Sequence, residues 1–161
     1  RTPEPQSTLA KENLMRVFSK PLRDRNFRKL LVFNSGWSFA INLAAPFFSV
    51  YMMNTLKLPL SYIIGFGILG QFAGILALRA WGKYSDRYSN KTIIRIAAPL
   101  YIFCIMAWSV VTIPQSYGMQ LLLIGLVNML SGAAVAGINL ALTNIGLKLA
   151  PRDGAIAYIS V

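Results

Sequence analysis

The sequence predicts an all-α, polytopic transmembrane helical bundle. Three observations predict it. Hydrophobic residues make up 55% of the 161-residue chain and charged residues only 13%, about half the ~25% usual for soluble domains. Four apolar runs reach the ~18 residues that mark a membrane-spanning helix. The basic residues concentrate in alternate connections between those runs. A soluble bundle would show charged faces recurring every three to four residues, and a transmembrane barrel would show strands of about ten alternating residues. Neither pattern is present.

Residues 1–29 read as a basic leader, made irregular at its start by Pro3 and Pro5. Leu9, Leu14, Val17 and Phe18 give part of it an apolar side suited to a membrane surface; a solvated linker fits equally well. The first span is expected at residues 30–53. Pro46 lies inside it and removes one helix hydrogen bond. Asn34, Ser38 and Asn42 recur at intervals of four, so they share one face. Lipid cannot satisfy such a stripe, which therefore faces other helices or a water-filled cavity.

The second span is expected at residues 60–81. Gly70 and Gly74 form a GxxxG, which lets two helix backbones approach closely. Gly65, Gly67 and Gly70 also satisfy G-x-G-x-x-G. A dinucleotide site needs a strand before the glycines and a helix opening after them, whereas these lie within an apolar span. The third span is expected at residues 93–113 and the fourth at residues 119–147. In the fourth, Ala133, Gly137 and Ala141 repeat as a small-residue packing face. Asn128, Asn139 and Thr143 supply a second polar stripe. Residues 151–161 read as a turn and the start of a fifth span, and the chain as a fragment of a longer protein.

Lysine plus arginine number eight in residues 1–29, one at Lys57, five from Arg79 to Arg95, none in residues 114–118, and two from Lys148 to Arg152. The alternation puts fifteen on one side and one on the other. By the positive-inside rule the leader, the connection around Gly82 and the connection around Pro151 are cytoplasmic. The same distribution accounts for the net charge of +11 without nucleic acid. Cys104 is the single cysteine and there is no histidine, so neither an internal disulfide nor a metal cluster is expected, and no cofactor. Between Leu30 and Leu147 the only acid is Asp86, with no nucleophile–base pair. An enzyme is therefore disfavoured, and the spans hold no carboxylate for proton coupling.

Gly82-x-x-x-Asp86-Arg87-x-Ser89-Asn90-Lys91 resembles the loop signature of the major facilitator superfamily, G-x-x-x-D-[RK]-x-G-[RK]-[RK]. The glycine expected at Ser89 and the basic residue expected at Asn90 are absent. Pro46-Phe-Phe and Leu149-Ala-Pro-Arg152 are similar to family members too. The family carries a degraded copy of the signature in its second half. The resemblance therefore implies helices 7 to 10 and the start of 11, with residues 1–29 as the loop between halves. It also implies a multi-pass permease of the plasma (inner) membrane that moves a small solute by alternating access. Its partners would be the solute, the lipid bilayer and the remaining helices of the same transporter. A non-transporting receptor or assembly protein on this scaffold is the alternative. In the resemblance Gly82, Asp86, Arg87 and Lys91 form a cytoplasmic latch. Asp86 would meet the start of the fifth span, around Gly154 to Ala157, with Arg152 nearby.

Overall fold

The computed structural model describes residues 24–114 and 116–149. They form four long α-helices, all of membrane-spanning length and apolarity. Helix α1 covers Arg25–Asn54, α2 Leu60–Arg87, α3 Asn90–Ala107 and α4 Tyr117–Leu149. A single 3₁₀ turn, Trp108–Val110, continues α3. The fifth span expected from the sequence lies outside the described residues.

Most helix ends overrun the apolar runs, and polar residues cap the starts of α1 and α3; the far end of α3 instead gives way to the 3₁₀ turn, short of the expected residue 113. Asp24 accepts the backbone N–H groups of Asn26 at 2.8 Å and Phe27 at 3.4 Å, so α1 starts in the basic leader rather than at Leu30. A carboxylate at this position satisfies free N–H groups and complements the helix dipole. Helix α2 runs through the whole polar stretch to Arg87. Only Tyr88 and Ser89 separate it from α3, and Ser89 caps α3 by accepting the Thr92 N–H at 3.3 Å. The charged stretch read as a loop is thus mostly helix. At the opposite end, Lys57 takes a left-handed conformation, φ 54°, and reverses the chain into α2.

Helix α4 is the element on which the others pack. It is apolar all round, the pattern of a helix at the centre of a bundle. Its crossing with α2 is a backbone contact. A Cβ on Gly70 would lie 2.9 Å from the Asn128 carbonyl oxygen, and one on Gly74 would lie 3.0 Å from that of Gly132. A Cβ on Gly132 would collide with the Gly70 carbonyl. Further along, Trp81 donates its indole N–H to the Ala133 carbonyl at 2.8 Å. The same ring fills the space beside Gly137, where a Cβ would meet it at 2.7 Å. Pairing that N–H matters, because an unpaired donor in hydrocarbon costs several kcal/mol.

Two apolar clusters lie at the two ends of the bundle. Ile93, Ala97, Ile138, Ala141 and Leu142 pack at the end that holds the basic residues, called here the basic end. Met52, Leu58, Ile63, Val111 and Ile124 pack at the other, the plain end. Helix α1 is the least attached. Its links to α3 are aromatic: Trp37 stands edge-on to Tyr101 at 5.2 Å, and Phe48 stacks on Trp108 at 5.0 Å. Large apolar side chains such as Phe39, Phe47, Ile68, Phe72, Phe103 and Met106 remain exposed, as expected of surfaces that meet lipid or further helices.

Candidate functional site

Three openings carry the polar side chains of the spans. The largest, about 540 Å³, lies in the plain half and draws on all four helices. Its polar lining is Ser49, Gln71, Tyr101, Asn128, Ser131 and Asn139, set among apolar walls that include Phe48 and Trp108. That volume is within the ~300–1,000 Å³ usual for small-molecule sites. A second opening, about 340 Å³, lies between α1 and α4 toward the basic end. Asn34, Ser35, Asn139 and Thr143 are its polar lining. A third, about 460 Å³, is a shallow depression at the basic end bordered by Ser85, Asp86, Asn144, Leu147 and Lys148.

Among the described residues the first two openings share Asn139 alone. Helices α1 and α4 run antiparallel, so moving along α4 from Asn128 through Asn139 to Thr143 moves from the plain half toward the basic end. Asn139 is exposed and lines both openings, and the side chains of Asn139 and Gln71 make no hydrogen bond among the described residues. Asn128 and Ser131 are partly engaged by their own helix, donating to Ile124 O at 2.9 Å and Val127 O at 2.6 Å. Asn128 keeps its side-chain oxygen free to accept among the described residues, whereas the Ser131 hydroxyl also meets the Cys104 thiol. Among the described residues no set of His, Cys, Asp or Glu could hold a metal, so the chemistry of both openings is that of amides, hydroxyls and aromatic faces.

The stripe on α1 divides. Asn34, Ser38 and Asn42 are all exposed. Asn34 borders the smaller opening, whereas Ser38 and Asn42 border neither. Asn42 donates its amide to the Ser38 carbonyl at 2.8 Å, one way that a helix satisfies an amide within itself. Thr143 is exposed and borders the smaller opening.

In the signature stretch, Asp86, Arg87 and Lys91 are exposed. The Arg87 guanidinium sits 5.5 Å over the Tyr88 ring. Gly82 is half-buried, and a Cβ there would find nothing within 4 Å among the described residues. Gly154 to Ala157 and Arg152, the expected partners of Asp86, lie outside the described residues.

The structure adds a group that the sequence reading passed over. Asn90 is only 5% exposed. Its side-chain oxygen accepts from the Ser85 hydroxyl and from the Asn144 amide at 3.3 Å. The Asn144 amide also reaches Ser85 Oγ at 3.4 Å. Three neutral side chains thereby tie the ends of α2, α3 and α4 together directly beside Asp86. The signal was the departure at Asn90: a neutral amide at a position where the signature has a cation. Gly132, the tightest point of the α2–α4 crossing, also went unread, because the repeat of small residues pointed to its neighbour Ala133.

The family model for the Major Facilitator Superfamily matches residues 1–160 of the chain. Comparison with curated proteins and with solved structures gave no match.

Proposed function

We propose that this chain, which belongs to the Major Facilitator Superfamily, a family of membrane transporters, forms the second half of a secondary transporter that moves a small solute by alternating access. The observation that carries the reading is the pair of polar openings in one apolar bundle, one toward each end, that meet at Asn139. Transporters of this kind hold solute near the midplane between two rocking halves. The whole transporter can be reconstituted in liposomes and offered an extract of small metabolites under imposed ion gradients. Enrichment of a solute over protein-free liposomes is expected. Enrichment of none under any gradient would overturn the reading.

The charge distribution supports a cytoplasmic basic end, with residues 1–29, 82–92 and the start of 151–161 on that side, and the family resemblance supports a plasma-membrane location. Lys91 and Ser116 are exposed at opposite ends. In a Cys104→Ser background, an impermeant maleimide added to intact cells should label Ser116→Cys and spare Lys91→Cys. The reverse labelling would invert the topology.

Asp86 serves the reading as a latch rather than as a solute ligand. It is exposed at the basic end, away from both solute openings, and free to accept from the N–H groups of an approaching helix start. A contact made in one access state biases the equilibrium between states. Asp86→Asn should therefore slow transport by up to about tenfold, the most that losing ~1.4 kcal/mol of bias can do, with expression retained. A wild-type rate would reduce the signature to a marker of topology.

A further inference from the structure

We propose that Asn139 is the station at which the solute passes from one opening to the other, and that the solute carries no charge where it meets this half of the protein. The inference rests on the transporter reading above and adds to it a residue and a chemical class. Three observations support it. Among the described residues the larger opening and the smaller opening have one lining residue in common, Asn139 on α4. One helical turn from it toward the plain end, Val135 borders only the larger opening; one turn toward the basic end, Thr143 borders only the smaller. A solute held by the Asn139 amide can thus keep that hydrogen bond while its other contacts change. Gln71 and Asn128 serve on one side, and Asn34 and Thr143 on the other.

The chemical class follows from the linings. Among the described residues neither opening has an ionisable acid or base at its wall, and Tyr101 is the only titratable side chain there. A charged group brought into an apolar bundle without a counter-charge costs several kcal/mol. Carboxamides and hydroxyls, which both donate and accept, instead suit hydroxyl, amide or carbonyl groups. The Phe48–Trp108 stack offers a flat apolar face to the same solute. The class is therefore an uncharged, multiply hydrogen-bonding molecule with one apolar face.

The test needs no knowledge of the solute. Val135→Cys, Asn139→Cys and Thr143→Cys are made singly in the whole transporter, Cys104→Ser, in sealed liposomes of defined orientation. Two impermeant methanethiosulfonate probes are applied from either side, one bearing a sulfonate and one a trimethylammonium group. Val135→Cys should react from the plain side only, Thr143→Cys from the basic side only, and Asn139→Cys from both. At Asn139→Cys, the ratio of cationic to anionic rates should stay within about threefold of that for a free thiol, because no wall charge focuses either ion. Ionisation of the cysteine itself cancels in this ratio.

Reaction of Asn139→Cys from one side only, or of all three from both sides, would overturn the station. A rate ratio shifted by about tenfold or more would overturn the uncharged class. Either failure would leave the transporter reading standing on its uptake test. No reaction at any of the three from either side would remove the solute path, and with it both readings.

Discussion

Gly132→Ala should destabilise the protein more than any other single methyl addition in the spans. The new Cβ would fall on the Gly70 carbonyl, a backbone atom that cannot rotate away. Helices α2 and α4 would have to separate, and Gly70 and Gly74 would lose their contacts with Asn128 and Gly132 in the same movement. Overpacking typically costs about 1–3 kcal/mol, and more where backbone must shift. In thermal denaturation of the purified whole transporter, the midpoint should fall by several degrees, with loss of monodisperse material. Gly65→Ala is the matched control, since a Cβ there meets nothing within 4 Å among the described residues. Its midpoint should hold or rise, as alanine is the better helix former by up to about 1 kcal/mol. Equal midpoints for wild type and Gly132→Ala would mean that the two backbones do not cross there.

Asn90→Arg should be harmful, although it restores the cation that the family signature has at this position. Asn90 is buried, and its oxygen is the acceptor for both Ser85 and Asn144. An arginine removes that acceptor and offers only donors. Each buried polar group left unpaired costs about 1–3 kcal/mol, and an unpaired buried cation adds several more. The guanidinium escapes only by forcing the ends of α2 and α3 apart. Folded yield and thermal midpoint should both drop sharply. Asn90→Ala should show a smaller loss, and Lys91→Ala, at an exposed neighbour, almost none. A stable Asn90→Arg protein would show that the Ser85–Asn90–Asn144 tie contributes little.

These two positions also mark where the sequence stops being legible. Spans are readable because burying twenty apolar residues in lipid is a sum over a window, insensitive to any one side chain. The close approach at Gly70 and Gly74 is readable because glycine spacing on one helix is local. Its counterpart, Gly132, depends on the register between two helices far apart in the chain, which no local spacing encodes. Asn90 was readable only as a departure from a pattern; that it turns inward depends on Asn144, on another helix, being there to meet it. The polar stripes were half legible. Spacing put Asn34, Ser38 and Asn42 on one face, but the opening that takes in Asn34 and leaves out Ser38 and Asn42 is set by where α4 lies. The starts of α1 and α3 moved outward because Asp24 and Ser89 cap them, a polar effect to which a search for apolar runs is blind.

The partner of α2 has a consequence for how the protein is made. Helix α2 closes on α4, not on its neighbour α3. Ribosomes add about 5–20 residues per second, so the roughly sixty residues between Gly70 and Gly132 take on the order of several seconds to appear. Throughout that interval the glycine groove of α2 lacks the α4 backbone that fills it in the folded protein. A synthesis arrest before Gly132 would leave α1 to α3 without the central helix that joins them. Such a product presents its unfilled groove to membrane quality-control proteases, whereas a chain arrested once α4 has left the ribosome has already closed it.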